Sequence, residues 1–381
     1  MDFSWSEDQL MLRKSVIEFA QKQLKDDLIE RDSESKFPFN LWKKCADFGI
    51  MGLPVPEKYG GRGDSILSSV YAMEALGYGC RDNGLLFGLS AQMWDVQMPI
   101  LDYGTEQQKN KYLPKLINGE SIGSISMTEP QSGSDAYSIS TTAEKKDGYY
   151  VLNGSKTFVT NGPVADLFIV FATINKKLGF MGISAFLVEK DFPGFQIGNS
   201  IPKMGLKTNP WCELFFDNCK VPVENRLGKE GNGVVIFKDS MEWERSCILA
   251  TYIGSMERQL EESIKYANDR KQFKQSIGKF QSVSNKIVDM KMRLETARLI
   301  LYRSVWMKEK FGSAPLDSAM TKLYLSESWV KSCLDAVQLH GGYGYTTEFE
   351  IERDLRDSVG STLFAGTSEI QRNIIAQILG L

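Results

Sequence analysis

The chain has 381 residues, 42% hydrophobic and 24% charged, which excludes a disordered or low-complexity protein and leaves room for two or three domains. Forty-five basic residues against 48 acidic ones give a formal charge of −3, so no nucleic-acid-binding face is expected. The single histidine, His340, excludes a multi-histidine metal centre and any Ser-His-Asp site built on another His, leaving proton transfer to a carboxylate, a Lys, a Tyr or a cofactor.

The N-terminus, Met1-Asp2-Phe3-Ser4-Trp5-Ser6-Glu7-Asp8, is acidic and lacks an apolar leader, and no run reaches the ~18–20 apolar residues of a membrane span. Six cysteines without a C-x-x-C pair read as buried free thiols in a reducing compartment. Both features predict a cytoplasmic protein that does not engage a membrane.

Residues 1–120 read as a helical domain. Ser6 and Gln9 have the spacing of a capping box, with Leu10, Val16 and Phe19 on the apolar face that follows. The Gly-rich stretch 57–64 ends the first helical segment, helix resumes around 66–76, and another spans 105–116 with Thr105 and Gln108 as its box. Residues 121–230 read as a β-domain. Runs at 149–152, 157–160, 166–172 and 183–188 alternate with Asn153-Gly154, Asn161-Gly162-Pro163 and Pro193-Gly194, and Asn153-Gly154 predicts a hairpin turn. Residues 231–381 return to helix. Leu249, Ile253, Met256, Leu260 and Ile264 form one stripe, and Ile287, Met290, Leu294, Ala297 and Leu301 another, as in an antiparallel bundle.

Two segments carry the strongest chemical signal. The loop Met127-Thr128-Glu129-Pro130-Gln131-Ser132-Gly133-Ser134-Asp135 offers backbone N–H groups and hydroxyls to an electron-rich ring or a phosphate. The segment 152–162 places Phe158 and Thr160 on one strand face, suited to one side of a flat heterocycle.

With Asp269-Arg270-Lys271-Gln272-Phe273, Gln338-Leu339-His340-Gly341-Gly342-Tyr343-Gly344 and Gly366-Thr367-Ser368-Glu369, these segments resemble the acyl-CoA dehydrogenase family over essentially the whole chain. The resemblance implies an α+β fold: an N-terminal helical domain, a central β-barrel-like domain and a C-terminal four-helix bundle. It implies FAD. Met127, Thr128, Gly133, Ser134, Phe158, Thr160, Thr367 and Glu369 match cofactor contacts of one subunit. Arg270, Phe273, Gln281, Gln338, Gly341 and Gly342 match contacts reaching a neighbour's FAD. A shared site implies a homo-oligomer, usually a tetramer. Arg270 suits a pyrophosphate because guanidinium pairs bidentately with phosphate oxygens. His340, inside the glycine segment, reads as a packing or hydrogen-bonding residue.

The family reaction needs a carboxylate to take the proton α to a thioester. Many members carry it just before Gly-Thr-Ser, where this chain has Ala365. A minority subgroup resembling isovaleryl-CoA dehydrogenase carries it on the helix after the β-domain, and Glu244 matches that position. Glu242 points roughly 200° away on a helix, so only one of the two faces the site. Stretches at 79–85, 240–245, 256–261 and 356–361 look more like the prolyl-carrier-protein oxidases, implying a partner carrier protein that bears a phosphopantetheine thioester. Ser134, Trp243 and Arg245 are the expected substrate neighbours; Arg245 also reads as structural, and no metal is expected. The alternatives are a short- or branched-chain acyl-CoA dehydrogenase passing electrons to an electron-transferring flavoprotein, a non-catalytic nucleic-acid-binding flavoprotein, and a flavin monooxygenase without the base.

Overall fold

The computed structural model describes residues 4–25 and 27–381; the first three residues of the acidic N-terminal reading lie outside them. Seven helices come first: α1 (Glu7–Gln23), α2 (Leu28–Glu34), α3 (Phe39–Phe48), α4 (Ile66–Gly79), α5 (Asn83–Ala91), α6 (Met98–Tyr103) and α7 (Glu106–Ile117). Both expected capping boxes form, Ser6 with Gln9 at α1 and Thr105 with Gln108 at α7. On α1 Val16 is fully buried, whereas Leu10 is half exposed and lies off the apolar face assigned to it.

Eight strands follow: β1 (Gly123–Ser126), β2 (Thr142–Lys146), β3 (Tyr149–Thr160), β4 (Leu167–Thr173), β5 (Ile183–Glu189), β6 (Phe195–Ser200), β7 (Trp211–Pro222) and β8 (Arg226–Leu227). They form one sheet in the order β6-β7-β3-β2-β4-β5-β8, with β1 parallel to β4. Every residue of β4 is buried, as its unbroken apolar run requires.

The hairpin expected at Asn153-Gly154 is not there. That pair lies inside β3, and the chain turns instead at Asp147-Gly148, between β2 and β3. Gly154 has φ +146°, and a Cβ on it would sit 2.6 Å from Thr141 Oγ1, so this glycine serves a strand irregularity under a close neighbour rather than a turn.

The C-terminal helices are α8 (Gly233–Trp243), α9 (Ala250–Asp269), α10 (Gln281–Phe311), α11 (Pro315–His340), α12 (Ile351–Gly360) and α13 (Ser368–Ile378). Leu249, Ile253, Met256 and Leu260 are buried, as are Met290, Leu294, Ala297 and Leu301; Ile264 ends the first stripe at the surface. α9 crosses α4 so closely that a Cβ on Gly254 would lie 2.0 Å from the Glu74 carbonyl oxygen. All six cysteines are buried and free. No helix among the described residues is long and apolar enough to cross a membrane.

Candidate active site

Two helical runs build the centre, and both are interrupted by π-helical turns. Gln92–Gln97 joins α5 to α6, and Glu244–Ile248 joins α8 to α9. Such turns widen a helix by one residue and re-aim the side chains beside it. Trp94 and Trp243 stack across the two runs, ring centroids 5.9 Å apart and planes 19° apart. Each indole is followed in sequence by a buried carboxyl, Asp95 and Glu244.

Burial pushes the Glu244 carboxyl up to about 7, against the opposing pull of Arg245 and Lys322. Burial and then the Glu244 charge push Asp95 well above the usual carboxylate range. Lys322, from α11, is fully buried without a hydrogen-bond partner at Nζ; burial draws it down to about 8 although Glu244 favours its charge. The Tyr252 hydroxyl is also buried and unpartnered. Glu242 is spoken for: it accepts from Ser313 Oγ and the Ala314 N–H, both at 2.8 Å, and pairs with Lys308 at 3.4 Å. Of the two acids on this helix, Glu244 makes none of these bonds.

Arg245 donates from Nε to the Ala365 carbonyl oxygen at 3.1 Å, tying the turn that bears Glu244 to the segment before α13. Gln371 Nε2 donates to the same oxygen at 2.9 Å. Ala365 is buried and has φ +55°, a left-handed conformation held by this pair of bonds.

The loop after β1 is fastened from below. Lys156 Nζ reaches the Met127 carbonyl oxygen at 3.0 Å and Glu129 Oε1 at 2.9 Å, with both charged side chains fully buried. Glu129 also accepts from the N–H groups of Ser140 and Thr141. Lys156 and these donors hold its carboxyl down at about 2, against the burial that would raise it. Thr128 accepts from the Thr157 N–H at 3.0 Å. The first signature segment is thus bound to the second, placing Met127, Thr128, Phe158 and Thr160 in one neighbourhood. Phe158 is 53% exposed at φ +55° and leans on Trp211, with centroids 5.0 Å apart. Gly133 and Ser134 are exposed on the loop, and a Cβ on Gly133 would meet nothing within 4 Å.

Thr367 is the N-cap of α13, accepting from the Ile370 N–H at 3.3 Å, and Glu369 stands exposed in its first turn, its carboxyl drawn down by its own backbone N–H and by Thr367. Arg270, Gly341 and Gly342 come together in a cavity of about 430 Å³ lined also by Tyr266, His340 and Tyr343. Gln338 is exposed one turn before it, Gln281 is exposed at the start of α10, and Phe273 is 88% exposed beside Phe280. None of the residues named between 127 and 160 lines that cavity. A Cβ on Gly341 or Gly342 would meet nothing within 4 Å, so neither glycine is demanded by close packing within the chain. His340 is buried, its Nδ1 2.8 Å from the Ala336 carbonyl oxygen and its ring against Tyr266; burial lowers its pKa, in keeping with a packing role.

Sequence reasoning missed Asp95, Lys322 and the Glu129–Lys156 pair. Asp95 had a signal: it is the one charged residue between Gly84 and Leu101.

Family models for the acyl-CoA dehydrogenase N-terminal, middle and C-terminal domains match residues 6–120, 124–219 and 231–380. The chain belongs to the acyl-CoA dehydrogenase family, and it has that family's helical, β and helical architecture. Among its relatives, an L-prolyl-[peptidyl-carrier protein] dehydrogenase from a Serratia species is 43% identical over 100% of this chain and 99% of its own. A Pseudomonas fluorescens protein of the same name is 41% identical over the full length of both. Among solved structures, the prolyl acyl carrier protein oxidase AnaB is 53% identical with a TM-score of 0.98, covering 99% of this chain and 100% of its own.

Proposed function

We propose that this protein is an FAD-dependent oxidoreductase that oxidises the ring of a prolyl group held as a thioester on an acyl or peptidyl carrier protein. The observation that carries the reading is Glu244: a deeply buried carboxyl, raised to about 7, on the helix after the β-domain. Its setting is a chain similar end to end to prolyl-carrier-protein dehydrogenases.

A thioester acidifies the proton on its α-carbon. A base with a pKa near the working pH removes it most effectively, and a carboxylate out of water is a stronger base than one on the surface. Bound FAD supplies the acceptor for the hydride that leaves the adjacent carbon. Glu244 takes the α-proton, and the indole of Trp243 and the loop residue Ser134 bound the substrate. Arg245 holds the turn in place through Ala365 and stands beside the substrate.

The residues fit the cofactor. An exposed aromatic, Phe158, stands beside a hydroxyl-bearing loop, and Gly133 and Gly342 are open positions with no packing need to be glycine. We assign Met127, Thr128, Gly133, Ser134, Phe158, Thr160, Thr367 and Glu369 to the cofactor of one subunit, and Arg270, Phe273, Gln281, Gln338, Gly341 and Gly342 to that of its neighbour. This division makes the protein a homo-oligomer, of the tetrameric kind the family resemblance implies, with domains at 1–120, 121–230 and 231–381. Six buried free thiols suit a reducing cytoplasm.

The test is anaerobic mixing of the yellow holoenzyme with prolyl-loaded carrier protein and, separately, with butyryl- and isovaleryl-CoA. Bleaching of the flavin band near ~450 nm with the prolyl substrate supports the reading. Fast bleaching with an acyl-CoA and none with the prolyl carrier protein overturns it in favour of an acyl-CoA dehydrogenase.

A further inference from the structure

Asp95 is 2% exposed, and its Oδ1 has no hydrogen-bond partner. Burying an ionisable carboxyl without a partner is strongly unfavourable, so packing alone does not account for an acid here. Four other deeply buried acids are ion-paired, Glu74 with Arg298, Asp82 with Arg31, Glu129 with Lys156 and Glu242 with Lys308, and Asp357, as buried as Asp95, accepts from the Leu206 N–H and from Asn83 Nδ2. The charge that acts on Asp95 is the negative one of Glu244. The cations near this centre, Arg245 and Lys322, act instead on Glu244, and Arg245 is engaged by Ala365.

The position is as telling as the missing partner. Asp95 and Glu244 sit on two π-helical turns whose preceding indoles stack, so the two carboxyls occupy matching places on facing elements. A prolyl thioester presents two proton-bearing atoms side by side, the α-carbon and the ring nitrogen, about 1.5 Å apart. One acid of the pair is already assigned to the α-carbon.

We propose that Asp95 is a specificity-determining residue whose carboxylate receives the protonated ring nitrogen and so selects an amine-bearing acyl group over an all-carbon one. This rests on the function proposed above. An ammonium set between two carboxylates relieves the repulsion that otherwise favours a proton on one of them. The substrate's own charge therefore lets Glu244 ionise as Asp95 binds. A carbocyclic acyl group brings no such charge and leaves Asp95 buried and unpaired, a penalty that works against it.

The test compares prolyl- and cyclopentanecarbonyl-loaded carrier protein, two rings of one size, by anaerobic flavin bleaching. Asp95→Asn should lower kcat/KM for the prolyl substrate by roughly 10- to 150-fold, the range a charge-assisted hydrogen bond supplies. The same variant should leave the carbocyclic substrate at or above its wild-type rate. Asp95→Glu, which keeps the charge, should retain the preference for the amine. Equal losses on both substrates, or an unchanged prolyl rate, would overturn the proposal. Wild-type turnover of the prolyl substrate reads the proposed function independently, and bound-flavin content of each variant shows that the site has formed.

Discussion

Trp94 and Trp243 stack at 5.9 Å between ring centroids, and the residue after each is a buried acid. The contact joins an N-terminal helix to the helix leaving the β-domain, so the two acids are positioned by packing rather than by a flexible loop. Lys308 covers the Trp243 ring from 4.2 Å and also pairs with Glu242, which fixes the indole from its other neighbours.

Replacing the proposed base should separate chemistry from cofactor binding. Glu244→Gln keeps the side-chain volume and removes the proton acceptor, so the rate of flavin reduction should fall by about 10²- to 10⁴-fold. Bound flavin, measured by absorbance of the purified protein, should be unchanged. A variant that reduces its flavin at the wild-type rate would show that the base lies elsewhere.

Glu244 also gives the enzyme a pH signature. With a carboxyl raised to about 7, kcat/KM should rise with pH and level off above that value. Stability should run the other way. The folded state holds this proton where the unfolded carboxyl, near 4.5, has already released it. Stability from this group is therefore complete at low pH, declines between the two values and is lost above about 7. Thermal melts of the wild type and of Glu244→Gln across that range should differ in slope, the variant being the flatter.

Lys156 and Glu129 form a fully buried pair under the signature loop. Lys156→Met leaves Glu129 charged and buried, which should cost about 3–5 kcal/mol in urea titrations. Because Lys156 Nζ also holds the Met127 carbonyl, flavin affinity should fall in the same variant. Glu129 is held down at about 2, so its contribution is present above its ordinary 4.5 and is lost as pH falls through the lower value.

Gly342 separates the cofactor's demands from the chain's own. An added methyl meets nothing within 4 Å, so Gly342→Ala should leave the thermal midpoint of the flavin-free protein unchanged. If a neighbour's flavin packs on this backbone, the same variant should bind FAD at least about tenfold more weakly by fluorescence titration. Equal flavin affinity would remove Gly342 from the shared site.

Much of the architecture was legible because local chemistry and tertiary need coincide. Ser6 and Thr105 cap their helices as the box spacing requires, and the stripe from Leu249 to Leu260 packs as its period requires. Asn153-Gly154 misled because a glycine in a strand can answer to a neighbour, here Thr141, as well as to a turn. The proposal of Glu244 as the base starts from Ala365, whose methyl cannot take a proton. Asp95 stood alone in an apolar run, but its proximity to Glu244 depends on a helix contact that sequence spacing does not encode. Leu10 fell on the wrong side because three apolar residues spread over about two and a half turns fix a helix face only loosely.

The π-turn at Glu244–Ile248 acts as a phase adjuster. One additional residue in a helix rotates everything beyond it by about 100° relative to what precedes it. The segment before the turn faces Trp94, while the segment after it must lay Ile253, Met256 and Leu260 into the bundle. An uninterrupted α-helix would align one of these sets at the expense of the other. Deleting a single residue from the turn would therefore uncouple Glu244 from the bundle that supports it, even with every side chain on either side retained.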